Sequence, residues 1–298
     1  MTFLPSTVNR ILAGLLTVVS LACTDSPETL DQVPESNQAA GEAGSVRDAA
    51  GVDHVPTTLP ARIISLVPSA TETLVAIGAI DLIVARTDYD ELPELSGLPS
   101  IGAGLQPNLE AILAQAPDLV IYFYGASEET TPRRLRDAGI QTFGVRPDRI
   151  EDVRKTITDL GAITGHLKEA TTLLSDLDAS LAEVSARIAG LPRVQVVFTL
   201  GEDPPWVAGP GSYISELITV AGGDNVFADV GSLYGPASLE QFLVREIDIV
   251  LTTSEGELPE QISRLGVIRL PAFVEVPGPR LHLAASAIAR ALHPDVFP

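Results

Sequence analysis

The chain has 298 residues and a formal net charge of −20, from 19 basic and 39 acidic side chains. Hydrophobic residues make up 45% of it and charged residues 19%, a balance that excludes a disordered chain and allows a large core. The negative charge repels phosphate backbones and anionic headgroups, so nucleic acid is not an expected partner. The single cysteine, Cys23, excludes an internal disulfide framework.

Residues 1–22 are predicted to be a signal peptide. Arg10 precedes an apolar run from Ile11 to Ala22, which is shorter than the roughly 20 residues that a bilayer span takes. The run ends in Leu21-Ala22-Cys23, which resembles the lipobox of bacterial lipoproteins, with Ser20 where the lipobox usually has Leu. We therefore expect lipidation at Cys23; an ordinary signal peptide with an incidental cysteine is the alternative. Either reading places the chain outside the cytoplasm, in the periplasm or on the outer face of the cytoplasmic membrane, and lipidation would be its only membrane attachment.

Residues 23–60 are predicted to be a disordered tether. They are rich in Ser, Glu, Asp, Gly, Ala and Pro and show no apolar periodicity. A flexible coil of this length reaches about 35 Å. His54 lies in this segment, and we expect it to be solvated and to have no role.

A first α/β lobe is predicted for residues 61–165, where short apolar runs alternate with helical patterns. The runs predicted to be strands are 62–67, 82–85, 119–124 and 141–145. Ser69 and Glu72 have the spacing of a capping box and predict a helix that ends near Gly78. Asn108 predicts the start of another helix, and residues 148–151 predict the start of a helix that leads to residue 165. This alternation indicates a parallel sheet.

The most regular pattern of the chain lies at residues 166–190. Apolar residues recur there three and four positions apart, on one helical stripe: Leu167, Ala170, Leu174, Leu177, Leu181, Val184 and Ile188. Gly190 and Pro192 then end the helix. At 1.5 Å per residue such a helix is about 37 Å long, which predicts a rigid connection between two lobes. A long helix packed within one domain is the alternative.

Residues 191–298 are predicted to form a second α/β lobe that repeats part of the first. The segment from Asn108-Leu109-Glu110 to Asp118-Leu119-Val120 has the same spacing as that from Ser238-Leu239-Glu240 to Asp248-Ile249-Val250. Because ligands bind beyond the carboxyl ends of parallel strands, two such lobes facing each other predict a cleft between them.

Aromatic residues are only 5% of the chain, and several of them follow predicted strands or, like Tyr234, lie in the loop before a predicted helix. We predict that these line the cleft and bind a large, flat, mostly apolar ligand: Tyr89, Phe123, Tyr124, Trp206 and Tyr234. The alternative is that each ring packs on its own lobe. Candidates for polar contacts are Thr87, Asp88, Arg146, Thr252 and Ser254.

No catalytic or metal site is predicted. Ser212 lacks the flanking glycines of a nucleophile elbow. His166, His282 and His293 have no second ligand at metal-binding spacing. Two competing hypotheses are a secreted hydrolase on a doubly wound fold and a surface lipoprotein with a purely structural role.

Four segments together resemble one family of bacterial solute-binding proteins. They are residues 62–72, 108–121, 203–227 and 278–294. The family is that of the iron-chelate and vitamin B12 ABC importers, the class III type with a helical backbone, and the cobalamin-binding branch is the most similar. The resemblance implies two Rossmann-like lobes with parallel sheets, joined by a long α-helix, with a ligand cleft between them. It also implies a monomeric binding protein, not an enzyme, that needs no cofactor and has an ABC permease and its ATPase as partners.

The resemblance further implies that each lobe offers a carboxylate to arginines of the permease. Glu110 matches the first-lobe position and Glu216 lies on the corresponding second-lobe helix, where Thr219 is an equally good match. Cobalamin binders often carry Trp where this chain has Gly104, and an acid and a base where it has Ala272 and Val276. Cobalamin or a related corrinoid is the favoured ligand, with haem or a ferric siderophore as the alternative.

Overall fold

The computed structural model describes residues 45–55, 57–125, 130–201 and 204–297. The signal peptide predicted for residues 1–22, the lipidation site Cys23 and residues 24–44 of the predicted tether lie outside this part of the chain.

A small hairpin precedes the first lobe and is formed by β1 (Val46–Arg47) and β2 (Asp53–His54). The strands of the first lobe are β3 (Ile63–Ser65), β4 (Ile83–Ala85), β5 (Gly102–Ala103), β6 (Gln106–Pro107), β7 (Leu119–Phe123) and β8 (Gln141–Val145). Its helices are α1 (Pro68–Ala76), α2 (Leu109–Ala114), α3 (Thr130–Asp137) and α4 (Ile150–Thr164). Four strands make a parallel sheet in the order β4-β3-β7-β8, as the alternating pattern predicts.

The long helix α5 (Leu167–Arg187) leads from α4 to the second lobe. The strands of this lobe are β9 (Val194–Leu200), β10 (Trp206–Ala208), β11 (Gly223–Asn225), β12 (Tyr234–Pro236), β13 (Ile249–Thr252) and β14 (Val267–Arg269). Its helices are α6 (Tyr213–Val220), α7 (Leu239–Leu243), α8 (Glu260–Ser263) and α9 (Leu281–Leu292). The sheet is mixed: β9, β11, β13 and β14 are parallel, while β10 and β12 are antiparallel additions at one edge.

Helix α5 connects the lobes because its apolar stripe packs on helices of both. Ala170, Leu177, Leu181 and Val184 are buried against α4 of the first lobe and α9 of the second, whereas Leu167 is half exposed. One continuous apolar core therefore extends along this helix from the first sheet to the second. Each sheet also covers a smaller core with its opposite face. The predicted fold class, two α/β lobes joined by a long helix, is confirmed.

The helix starts follow the predicted caps in some places and not in others. Asn108 accepts the Ala111 N–H at 3.1 Å, as predicted. The helix expected to start at a Ser69 capping box instead begins at Pro68, with Val67 before it and no side-chain cap. Proline suits the first helical turn because it lacks the N–H that would need a cap. Glu72 is thereby released to bond elsewhere.

The tether predicted for residues 23–60 is wrong for residues 45–55, because these form the hairpin and its turn is hydrogen-bonded to β8 at the edge of the first sheet. Ala49 donates its N–H to the Gly144 carbonyl at 2.9 Å, and the buried Asp48 carboxylate accepts the Gly144 N–H at 3.0 Å. His54 is held in the same contact, with Nε2 3.1 Å from Asp48 and its ring 4.9 Å from that of Phe143. The expectation that His54 is solvated is therefore also wrong.

Replacing Asp48 by alanine is expected to lower the free energy of unfolding by about 2–4 kcal/mol, because it leaves buried N–H donors without an acceptor. Urea denaturation measures the change. Asp53→Ala is the matched control, since the Asp53 side chain is 55% exposed and lies 3.5 Å from Arg47; a surface pair of this kind contributes at most about 1 kcal/mol. Equal losses in the two variants would contradict a hairpin that is anchored through Asp48.

No helix within the described ranges combines the length and the hydrophobicity that a membrane span requires.

Candidate functional site

A cavity of about 320 Å³ opens between the two lobes. Phe123 and Leu200, the last residues of β7 and β9, both line it, so it lies at the carboxyl ends of central strands of the two sheets. This is where ligands bind in open α/β sheets. The remaining lining residues are Pro147 and Asp148 from the first lobe and Tyr213, Ile214, Tyr234, Glu275 and Pro277 from the second. The cavity thus combines apolar walls with a few polar groups, as small-molecule sites do.

A larger cavity, of about 420 Å³, lies beneath the N-terminal hairpin. It is lined by Leu119 and Gln141, the first residues of β7 and β8, and by His54 and Arg136. Because it borders the amino ends of the strands and one lobe only, the cavity between the lobes is the better candidate site.

Two phenols form the second-lobe wall of the inter-lobe cavity. Tyr213 is buried and donates its hydroxyl to the Val274 carbonyl at 3.3 Å. Burial raises the pKa of Tyr213, and it also raises the pKa of Tyr234. Both side chains therefore remain neutral hydroxyls at physiological pH and can donate or accept hydrogen bonds.

The charged residues that line this cavity are both acidic. Asp148 accepts a hydrogen bond from Arg146 Nε at 2.6 Å, and Glu275 accepts one from the Thr253 hydroxyl. Partial burial raises the pKa of the Glu275 carboxyl. Among the residues described, no Lys, Arg or His lines the cavity. The site thus favours ligands that present hydrogen-bond donors or positive charge over ligands with carboxylates.

The structure brings Phe123 and Tyr234 onto opposite walls of one cavity, as contributions from different lobes. The other predicted aromatic residues do not line it. Tyr89 and Trp206 are 65% and 46% exposed, and Tyr124 packs half-buried against the outer core of the first lobe. For all five aromatic residues, direct contact with a ligand remains a prediction.

The predicted polar contacts are mostly engaged within their own loops. Buried Thr87 donates its N–H and its hydroxyl to Asp90, at 2.6 and 2.8 Å. Buried Thr252 accepts the Ser254 N–H at 3.1 Å, and Asp88 accepts the Ser100 hydroxyl. Of this group only Arg146 approaches the cavity, through its bond to Asp148. These residues shape the loops that surround the site.

The sequence interpretation missed Tyr213 and Glu275. Tyr213 begins α6 and lies four residues before the core residue Leu217, so its pattern indicates only a buried position. Glu275 ends a short 3₁₀ turn, Ala272–Glu275, that has no periodic pattern. Their proximity to the cleft follows from the packing of distant segments.

The carboxylates predicted to dock on a permease differ in exposure. Glu110 is exposed in the first turn of α2. Glu216 is half-buried, and its Oε2 accepts the Ile150 N–H at 2.7 Å, so it caps α4 of the other lobe. The alternative residue Thr219 is exposed. Glu240, which the internal repeat pairs with Glu110, is exposed in the first turn of α7.

Gly104, where cobalamin binders often carry Trp, lies against the end of β3. A Cβ there would be 2.1 Å from the Leu66 carbonyl oxygen. The backbone of Leu66 thus occupies the space that a side chain at position 104 would need.

Gly104→Ala is expected to reduce the free energy of unfolding by about 1–3 kcal/mol, because the backbone of Leu66 must move to admit the methyl group. Thermal denaturation measures the effect. Gly97→Ala serves as the control, since a Cβ at Gly97 meets no atom within 4 Å. A melting temperature that is the same for both variants would show that this contact is absent.

The histidines do not form a hydrolytic site in the described part of the chain. Buried His282 Nδ1 and His293 Nε2 have no hydrogen-bond partner there, and His166 Nδ1 contacts Thr164. A general base for a serine needs a hydrogen bond to its hydroxyl.

Comparison with known proteins gives consistent results. Residues 63–266 match a family described as "Periplasmic binding protein". The vitamin B12-binding protein of Salmonella typhimurium is 30% identical over 240 residues, which cover 78% of this chain and 90% of that protein. The solved vitamin B12-binding protein of Vibrio cholerae has a TM-score of 0.67 and 25% identity, over 77% of this chain and 95% of that one. The haem-binding protein from Roseiflexus sp. RS-1 has a TM-score of 0.69 at 24% identity, over 80% and 99%.

Proposed function

Because the chain belongs to the periplasmic binding protein family, whose members are non-enzymatic solute-binding proteins, we propose that it captures cobalamin or a related corrinoid and delivers it to an ABC importer. The inter-lobe cavity, with aromatic residues from both lobes and acidic but no basic lining residues among those described, is the observation that carries this proposal.

The charge of the lining favours a corrinoid over haem. The periphery of a corrin ring carries carboxamides, which donate hydrogen bonds to carboxylates and phenols. Haem carries two propionates, and the Glu275 carboxylate would repel them, whereas the charge of Asp148 is offset by its ion pair with Arg146. A ferric siderophore with anionic donor groups meets the same obstacle. The similarity to vitamin B12-binding proteins supports the same ligand.

Isothermal titration of the purified chain with cyanocobalamin, dicyanocobinamide and haemin tests the proposal. We expect binding heat with both corrinoids and a dissociation constant of about 1 μM or lower, which corresponds to about −8 kcal/mol. Haemin should give no saturable heat. Heat with haemin and none with either corrinoid would assign the chain to haem instead.

Membrane attachment is part of the proposal. Removal of residues 1–22 and lipidation of Cys23 would hold a monomer outside the cytoplasm, close to the permease, as the resemblance of Leu21-Ala22-Cys23 to a lipobox implies. Mass spectrometry of the protein from its source cells tests for the lipid.

We also infer the division into a first lobe at residues 61–165, a connecting helix at 166–190 and a second lobe at 191–298.

Glu110 and Glu240 are the carboxylates that we propose for docking on arginines of the permease. Both are exposed in the first turn of a helix of the repeat. The backbone N–H of Glu240 and the Ser238 hydroxyl lower the pKa of the Glu240 carboxyl, which keeps it charged. Glu216 is not suited to this role, because it already caps α4.

The double variant Glu110→Lys, Glu240→Lys is expected to lower uptake of labelled cyanocobalamin at least tenfold in source cells, because each lysine opposes an arginine. Affinity for cyanocobalamin should not change. Glu151→Lys is the control, since that side chain is 81% exposed on α4. Normal uptake by the double variant would exclude these docking positions.

A further inference from the structure

The cavity beneath the N-terminal hairpin is separate from the cavity between the lobes. Leu119 begins β7 and lines the first, whereas Phe123 ends the same strand and lines the second. A strand of five residues places its end residues about 13 Å apart. The two cavities share no lining residue among those described. At about 420 Å³ the cavity beneath the hairpin, which we call the hairpin cavity, has the volume of a small-molecule site.

Much of the wall of the hairpin cavity is apolar. The first lobe contributes Leu119, Ile140, Phe143 and Ile163, and the turn of the hairpin contributes Val52. The Val52 side chain is 50% exposed, so an apolar body in the cavity would remove part of it from water. Such burial is favourable. The wall therefore suits a ligand with a hydrocarbon body.

Arg136 supplies a positive charge at this wall. Its Nη1 donates a hydrogen bond to the hydroxyl of the buried Thr142 at 3.1 Å, which holds the guanidinium against β8. Within the described ranges Arg136 forms no ion pair. A guanidinium has five N–H donors in a planar fork that matches a carboxylate. Arg136 can therefore bind a carboxylate through its remaining donors.

The other charged groups that line the hairpin cavity do not oppose an anion strongly. The Asp53 carboxylate lies 3.5 Å from Nε of Arg47, so its negative charge is offset. The His54 ring is held by Asp48 and carries no negative charge in either protonation state. Arg136 thus determines which charge the hairpin cavity selects.

We propose that the hairpin cavity is a second ligand site and binds a small organic carboxylate with an apolar body. The carboxylate pairs with Arg136, and the hydrocarbon lies against Val52 and the apolar wall of the first lobe. Because Arg136 is exposed, the charged end of the ligand stays in contact with water while its apolar end leaves water. The ligand also contacts both the hairpin and the first lobe, so its binding stabilises their association. This site is independent of the ligand in the inter-lobe cavity.

Isothermal titration of the full chain with sodium octanoate at neutral pH tests the proposal. We expect one octanoate per chain with a dissociation constant of about 1 mM or lower. Octylamine has the same chain length and the opposite charge, and we expect it to bind at least about tenfold more weakly. A titration repeated with the chain saturated with cyanocobalamin should give the same octanoate affinity.

Two variants probe the two sides of the hairpin cavity. Arg136→Gln removes the charge and is expected to raise the dissociation constant for octanoate about tenfold or more. Val52→Asp adds a negative charge at a half-exposed position and should weaken octanoate to a similar extent. Arg134→Gln is the matched control, because Arg134 is exposed on the same helix, α3, and does not line the hairpin cavity. A melting curve of each variant detects a folding defect separately.

Absence of saturable octanoate binding would overturn the proposal, as would equal affinities for octanoate and octylamine. Equal losses in Arg136→Gln and Arg134→Gln would show that net charge, not this arginine, is responsible. Competition between octanoate and cyanocobalamin would place the carboxylate in the inter-lobe cavity instead. Because the titration of the chain alone needs no corrinoid, failure of cyanocobalamin binding would leave the octanoate result intact.

Discussion

Replacing both Phe123 and Tyr234 by alanine is expected to weaken cyanocobalamin binding about 100-fold, close to 3 kcal/mol. The two rings line the same cavity from different lobes, so a flat ligand held between them loses an apolar contact on each side. Aromatic side chains supply large contact areas at low entropic cost. Isothermal titration of both single variants and of the double variant measures the loss.

Tyr234→Phe is the matched control for the ring. It keeps the apolar face and removes only the hydroxyl, so we expect a loss of at most about tenfold, the value of one hydrogen bond. Alanine variants that bind as tightly as the unaltered chain would show that the ligand lies elsewhere, for example in the cavity beneath the N-terminal hairpin.

Elements with strong periodicity were predictable from the sequence. The connecting helix, predicted at residues 166–190, spans Leu167–Arg187, and the strand predicted at residues 141–145 has these bounds in the structure. The short strands β10 and β12 were not predicted. Each has three residues; the two pair with each other, and β10 also pairs with the end of β9. Pairing between distant segments, not local pattern, forms them. The N-terminal hairpin is missed because its strands have only two residues each and its anchor, Gly144, is distant in the sequence.

Of the residues that line the cavity, the sequence predicted only the aromatic residues Phe123, at a strand end, and Tyr234, in a loop. Phe123 is the last residue of β7, and this position alone directs it to the carboxyl edge of the sheet. Tyr213 and Glu275 come from segments that approach the cavity through the packing of the second lobe. Glu216 shows the limit most clearly, because a helix position cannot indicate whether a carboxylate faces solvent or the other lobe. Its bond to the Ile150 N–H depends on how the lobes meet.

The lobes are held together by polar contacts as well as by α5. The Tyr213 N–H donates to the Asp148 carbonyl at 2.7 Å, and the Glu216 carboxylate caps α4. Glu72 of α1 accepts hydrogen bonds from both Nε and Nη2 of Arg280, which precedes α9. One of these contacts, between Tyr213 and Asp148, joins two residues that line the cavity. The cavity walls are thus fixed relative to each other before a ligand enters, which lowers the cost of ordering on binding.

Arg280→Ala is expected to lower the free energy of unfolding by about 2–4 kcal/mol, because it leaves the Glu72 carboxylate in the lobe interface without its partner. The Glu72 side chain is 12% exposed and that of Arg280 35% exposed, so solvent replaces the lost bonds only in part. Urea denaturation measures the change, with Arg264→Ala as the control. The side chains of Arg264 and Glu260, which form an ion pair, are 72% and 75% exposed. Such surface pairs contribute at most about 1 kcal/mol to stability.

In the double variant Glu72→Gln, Arg280→Met we expect part of the stability to return, since no unpaired charge remains. A double variant less stable than Arg280→Ala would show that Glu72 is stabilised by other groups.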